Sequence, residues 1–159
     1  MNINFQAIGM IHTPYPDPQG MPIQPSGGVD VKGVVEVYKE YWPGLQDFDG
    51  FSHIILLYCF HASEGFNLRV TPFLDDNLRG LFATRAPRRP NQIGLSVVRF
   101  DRIENGNLHI LDVDILDGTP LLDIKPYVPE FDSPSEVRLG WLEKASKNVS
   151  HRRSDERFK

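Results

Sequence analysis

Three arginines and two prolines share one short stretch, residues 82–96, in which Arg85, Pro87, Arg88, Arg89 and Pro90 precede Asn91-Gln92-Ile93-Gly94-Leu95-Ser96. Proline fixes its own φ and pushes the preceding residue toward extended geometry, so guanidinium groups set among prolines are presented in few directions. A stiff cationic connection of this kind suits an anionic ligand, because guanidinium recognises carboxylate and phosphate through paired hydrogen bonds. From Arg79 to Arg102 six arginines stand against the single acid Asp101, a local charge of +5 in a chain of net charge −4, which leaves about −9 on the remainder. The overall acidity disfavours indiscriminate nucleic-acid binding, since nonspecific affinity comes from cations replacing phosphate counterions. A local basic surface is still compatible with it.

Other chemistry-bearing residues have plainer readings beside the functional one. Asp117-Gly118-Thr119-Pro120 is a turn on composition alone. His61 follows an apolar run and reads as a satisfied core histidine or as a ligand contact. A metal shared by His53 and His61 is excluded, because eight residues of extended strand separate them by about 26 Å. Cys59 is the only cysteine, so no intrachain disulfide or multi-cysteine zinc site can form, and its apolar neighbours favour a packed thiol. Ile124-Lys125-Pro126-Tyr127 is an edge strand stopped by proline, or a place where an aromatic ring stacks on a base and a lysine meets phosphate. No G-x-G-x-x-G follows a strand-like segment and no G-x-S-x-G occurs, which argues against a dinucleotide-type fold and against serine hydrolysis.

The elements that must position these residues are mostly strands. Thirteen prolines and thirteen glycines in 159 residues imply many turns, and fit an all-β domain better than a helical bundle. Strands are expected at residues 3–11, 31–37, 53–61, 95–103 and 108–116. The apolar run 53–61 is expected to be buried on both faces. Asn105-Gly106 joins the last two strands as a two-residue hairpin turn. Residues 13–28 form a long proline-rich loop, residues 38–45 a short helical turn, and residues 135–146 the main helix. One domain is expected over residues 1–150, with a frayed tail at 151–159. No basic region followed by an apolar run opens the sequence and no segment approaches ~18 continuous apolar residues, so a soluble cytoplasmic protein with no membrane partner is expected.

The arginine stretch is one of five blocks that occur in order. The others are Ile8-Gly9-Met10-Ile11-His12-Thr13-Pro14-Tyr15, the run from Gly50-Phe51-Ser52-His53-Ile54 to His61, Asp117-Gly118-Thr119-Pro120, and Leu122-Asp123-Ile124-Lys125-Pro126-Tyr127. Together they resemble the TsaA-like family from about residue 5 to about residue 141. These are S-adenosylmethionine-dependent methyltransferases built on a small β-barrel, and their best-known members N6-methylate threonylcarbamoyl-adenosine beside the tRNA anticodon.

The resemblance implies a predominantly antiparallel β-barrel, a homodimer, S-adenosyl-L-methionine as cofactor and the tRNA anticodon loop as partner. It implies cofactor contacts at Pro22, Ile23, Gln24, His61, Ala62, Arg85, Leu95, Asp117, Gly118, Thr119 and Pro120. Arg88, Arg89 and Lys125 are then RNA-binding candidates, with Arg88 and Arg89 alternatively bridged to Asp112 or Asp114. Asp117 and Tyr127 are candidates for a catalytic role, and no metal is implied. Gln92 stands where the family pattern has proline, and the sequence stops short of the second domain of longer bacterial members. Methylation of a small molecule or another RNA, or a noncatalytic sensor of the cofactor, therefore stay open.

Overall fold

A computed structural model gives the architecture and describes residues 1–23 and 25–143. Its strands are β1 Gly9–His12, β2 Lys32–Val37, β3 His53–Cys59, β4 Arg69–Val70, β5 Arg79–Gly80, β6 Ile93–Glu104, β7 Asn107–Leu111 and β8 Thr119–Pro126. Six of them close into an antiparallel barrel in the order β1-β2-β7-β6-β3-β8, while β4 and β5 pair separately. Closure leaves no free edge in the barrel sheet, so its ladder hydrogen bonds are satisfied all round.

Period-two geometry fills the interior. Ile54, Leu56 and Tyr58 of β3 meet Val98 of β6, Leu108 and Ile110 of β7, Val35 of β2 and Leu121 of β8 in one apolar core. The opposite residues of β3, His53, Ile55, Leu57 and Cys59, are only partly buried. The expected burial on both faces is therefore corrected: in a closed barrel just one face of each strand meets the core.

The hairpin turn at Asn105-Gly106 forms with both φ values positive, at 50° and 75°. β1 is shorter than expected, because the last ladder bond on its β2 side runs from Tyr38 N to the Ile8 carbonyl, and Ile3 and Phe5 lie exposed beyond it. β7 ends at Leu111 rather than 116, since Asp112 takes a positive φ of 66°. That residue shifts the alternation by one position: Leu108 and Ile110 point inward before it, Val113 and Ile115 after it.

The long loop after β1 holds a 3₁₀ turn at Pro25–Gly27, and the expected helical turn after β2 is a 3₁₀ helix at Lys39–Leu45. Of the helix expected at 135–146, residues 135–139 are irregular and a 3₁₀ turn occupies Gly140–Glu143, with Gly140 at φ 58°. The C-terminal end of that helix and the tail at 151–159 lie outside the described residues. The α-helix α1, Pro129–Asp132, is a single turn. No described helix is long and apolar enough to cross a membrane.

Candidate active site

Antiparallel order sends three connections to one mouth of the barrel. The register pairs His12 with Val34, Lys32 with Leu111, Cys59 with Ile93 and Ile11 with Thr119, so the segments 13–31, 60–92 and 112–118 all leave and return there. His61, Ala62, the arginine stretch, Pro22, Ile23 and the Asp117–Pro120 turn are thereby gathered, although up to about a hundred residues separate them in sequence.

The turn is tied down from two sides. Thr13 N donates to Asp117 Oδ1 at 2.9 Å, Asp117 N donates to the Tyr15 carbonyl at 2.8 Å, and Thr13 Oγ1 donates to the Ile115 carbonyl at 2.7 Å. His12 Nδ1 lies 3.6 Å from the same Asp117 oxygen. Asp117 Oδ2 has no partner among the described residues. Gly118 supplies the positive φ of 70° that the turn needs. Thr119, buried, donates from Oγ1 to the Leu116 carbonyl at 2.7 Å, and exposed His61 places Nδ1 3.4 Å from that hydroxyl. Pro22 is buried and Ile23 partly so. Gly28 behind them is close to the wall: a Cβ there would lie 2.4 Å from the Val113 carbonyl. Gln24 falls outside the described residues.

The three arginines divide. Arg85 is exposed and forms no hydrogen bond or ion pair among the described residues. Arg89 is used inside its own loop: Nη1 donates to the Thr84 and Ala86 carbonyls at 3.0 and 3.3 Å, and the guanidinium lies 5.8 Å from the Phe82 ring. Arg88 has a buried Nε without a hydrogen-bond partner. Neither pairs with the acids offered as alternatives: Arg99 takes Asp112 in a two-point pair at 2.5 and 3.0 Å and also meets Asp30, and Asp114 accepts from Ser96. That pairing holds the Asp112 carboxyl below its usual range. Gln92, the departure from the family pattern, donates from Nε2 to the Ser63 carbonyl at 2.5 Å while its own carbonyl accepts from Phe60 N at 2.9 Å. It fastens the exit of the arginine loop to the segment after β3.

Three sequence candidates do not join the mouth. Leu95 points outward from β6, 46% exposed, on the opposite face from Ser96. Lys125 and Tyr127 follow the turn closely in sequence, but β8 carries Lys125 roughly 20 Å from Thr119 at about 3.3 Å per residue. Lys125 there pairs with Asp123 at 2.7 Å, and the Tyr127 ring packs edge-on against His53 at 6.3 Å. Both residues therefore sit at the far end of the barrel from the turn.

One constellation escaped the sequence reading. Tyr58 and Ser96, inward residues of β3 and β6, share a hydrogen bond of 3.0 Å, and Ser96 Oγ donates to Asp114 Oδ1 at 2.6 Å. Burial pushes the Asp114 carboxyl from 3.8 up to about 6, against the lowering effects of Ser96 and Arg85. Burial, and secondarily the negative Asp114, pushes the Tyr58 hydroxyl well above its usual range. Tyr58 therefore remains a donor, and the chain of hydrogen bonds ends on the carboxylate. Alternation with Leu111, Val113 and Ile115 puts Asp114 on the polar face of an extended strand, whereas the strand ends at Leu111 and residue 114 lies in the connection at the mouth.

A closed antiparallel barrel with a cationic, polar-floored mouth defines a small ligand-binding β-barrel. The chain belongs to the family of the tRNA-methyltransferase O N-terminal domain, whose model matches residues 10–133. It is 53% identical over 156 residues to a probable S-adenosyl-L-methionine-binding protein of Pyrococcus abyssi, covering 98% of this chain and 85% of that protein. It is 34% identical to the tRNA (adenine(37)-N6)-methyltransferase of Mus musculus, covering 87% of this chain but 34% of that one. The crystal structure of TrmO from Pseudomonas aeruginosa superposes with a TM-score of 0.75 at 36% identity, over 89% of this chain and 63% of that chain. The chain thus spans about a third to two thirds of the length of these two methyltransferases.

Proposed function

We propose that this protein is a cytoplasmic S-adenosylmethionine-dependent methyltransferase acting on N6 of threonylcarbamoyl-adenosine in the tRNA anticodon loop. The observation that carries this is the convergence at one mouth of Arg85, His61 and the Asp117–Pro120 turn in a chain of this family. The residues fit the cofactor: a partnerless guanidinium suits its carboxylate, and the free Asp117 Oδ2 with the turn backbone suits an amine or hydroxyl donor. S-adenosylmethionine, when bound, supplies a methyl group on a sulfonium.

The chain's task is then mainly positioning, since holding the acceptor nitrogen in line at about 3–3.5 Å supplies much of the acceleration without a covalent enzyme intermediate. An adenine amine becomes acidic as it accepts a methyl group, and a water at the mouth, or Asp117 Oδ2 where the cofactor does not occupy it, takes that proton. Arg88 serves phosphate. A single-stranded loop presents its bases for such edge recognition. A homodimer on the outer face of β6 would cover Ile93 and Leu95, which are 38% and 46% exposed; light scattering of Leu95→Asp against the parent protein measures this, with a monomer expected for the variant.

The substrate is tested by incubating the protein and labelled cofactor with tRNA carrying threonylcarbamoyl-adenosine and with unmodified transcript, followed by nucleoside mass spectrometry. Methyl incorporation in the modified nucleoside alone is expected. Methylation of neither RNA by a cofactor-binding protein would overturn the assignment in favour of a small acceptor or a sensor.

A further inference from the structure

We propose that Asp114 is the acceptor for the cofactor's α-ammonium group, and that Asp114 and Arg85 together recognise the amino-acid end of the cofactor as a zwitterion. This rests on the cofactor reading above and adds to it a residue with its own role.

Arg85 lies within electrostatic reach of both Asp114 and Tyr58, yet it makes no ion pair with either. The carboxylate is held in place, and the loop that carries the arginine is braced. Asp114 is held by Ser96 at 2.6 Å, and its neighbour Val113 is bonded through N to the Val31 carbonyl at 3.4 Å. Arg85 sits on a loop set by Pro87 and by the Arg89 bonds to the carbonyls on either side of it, those of Thr84 and Ala86. The second Asp114 oxygen receives no hydrogen bond from another described residue. A held anion and an unpartnered cation on a braced loop beside it complement a group bearing ammonium and carboxylate on one carbon, each partner meeting its opposite.

A purely structural role predicts something different at this position. Ser96 and Tyr58 require only an oxygen that accepts, and a neutral amide carbonyl supplies one without burying charge. The carboxyl is kept although burial raises its pKa to about 6, and perturbed carboxyls of this kind concentrate where a ligand uses them.

Calorimetric titration of the parent protein and Asp114→Asn with S-adenosylmethionine, S-adenosylhomocysteine and 5′-methylthioadenosine tests the assignment. The first two carry the ammonium group and the third lacks the whole amino-acid end. The variant should bind the first two about tenfold or more weakly and the third as the parent does, which also reports an intact site. A ligand-side arm needs no mutation: desamino-S-adenosylhomocysteine should bind the parent about tenfold or more weakly than the amine-bearing compound, and the variant no worse than it binds that compound. Equal binding of S-adenosylhomocysteine by both proteins, or equal losses for all three ligands, would overturn the assignment. A loss confined to S-adenosylmethionine would move Asp114 to the sulfonium and overturn it likewise. A folded parent protein that binds none of the three would remove the cofactor reading itself, and this role of Asp114 with it.

Discussion

At one end of the barrel the Trp42 ring lies on Gly106 and its Nε1 donates to the Val37 carbonyl at 2.8 Å, while Phe48 meets Phe100 edge to face at 5.3 Å and Phe51 at 6.0 Å. At the other end Tyr58, Ser96 and Asp114 form a polar floor beneath Arg85, the Asp117 turn and His61. Both ends face the same need, since six strands leave two openings that must exclude water from the core. The first is lined by phenylalanine rings and by an indole whose Nε1–H is satisfied by the Val37 carbonyl. The second keeps an unpaired guanidinium, a buried arginine Nε without an acceptor and a carboxyl whose charge is disfavoured by burial. Groups of that kind lower stability unless a ligand completes them. Stability should therefore be concentrated at the aromatic end and binding at the polar one, and substitutions can separate the two.

The largest effect is expected at the aromatic end. A Cβ on Gly106 would come within 1.9 Å of Trp42 Nε1, at a φ of 75°. Gly106→Ala adds backbone strain to a clash that only displacement of the indole relieves, and should destabilise the protein by about 2–4 kcal/mol. Denaturant unfolding measures it. Cofactor affinity, taken at a temperature where the variant is folded, should be unchanged; a parallel loss would mean that the two ends are mechanically coupled.

Arg85→Ala is the converse. Loss of a charge-assisted two-point contact should weaken S-adenosylhomocysteine binding by about 1.5–3 kcal/mol, one to two orders of magnitude in affinity. The same unfolding curve as the parent is expected, because exposed Arg85 holds nothing else among the described residues. Unchanged affinity in the folded variant would remove Arg85 from the ligand site.

The polar floor gives a smaller, pH-dependent effect. The folded protein holds a proton on Asp114 up to about pH 6, whereas the ordinary value is 3.8. Its favourable contribution is therefore complete below 3.8 and is lost as pH rises through about 6. The two values bound the loss at about 3 kcal/mol, and residual solvent contact reduces it to about 1–2 kcal/mol. Asp114→Asn does not titrate. Without ligand, it should gain on the parent by that amount between pH 4 and pH 7.5 in chemical unfolding, and equal pH profiles would show that the carboxyl is not held in its neutral form.

These expectations depend on placements of unequal legibility. Five of the six barrel strands and the hairpin at Asn105-Gly106 follow from alternation and positive-φ preferences, which act within a few residues; β8 does not, because Thr119–Pro126 reads as a turn followed by an edge strand although it pairs with both β1 and β3. Asp114 alternates with Leu111, Val113 and Ile115 and so reads as a polar-face strand residue, whereas β7 ends at Leu111 and the left-handed Asp112 carries residue 114 into the mouth connection. Lys125 and Tyr127 follow the turn by only a few residues, yet an extended strand carries a residue far in a few steps. Residues 135–139 have helix-forming neighbours but expose Val137 and Leu139; Trp141 is held instead by the Ala83 carbonyl at 2.9 Å and by Arg79, 5.3 Å from its ring. Tertiary contact decided that segment over local propensity.

The smallest expected effect separates two neighbouring arginines. Arg89 donates to two carbonyls of its own loop, so Arg89→Ala should loosen the loop that presents Arg85 and weaken cofactor binding together with RNA binding. Arg88 is partly exposed and no described residue accepts a hydrogen bond from its guanidinium, which leaves its outer nitrogens for a phosphate oxygen. Arg88→Ala should therefore leave cofactor affinity intact and flatten the salt dependence of tRNA binding by about 0.7–0.9 in log–log slope if one phosphate contact is lost, according to strand form. Filter binding across a salt series reads the slope and calorimetry reads the cofactor. If Arg88→Ala keeps the parent's slope while cofactor affinity falls, its guanidinium belongs to the loop's own architecture. If Arg89→Ala alone flattens the slope and spares the cofactor, the two arginines exchange the roles that the geometry gives them.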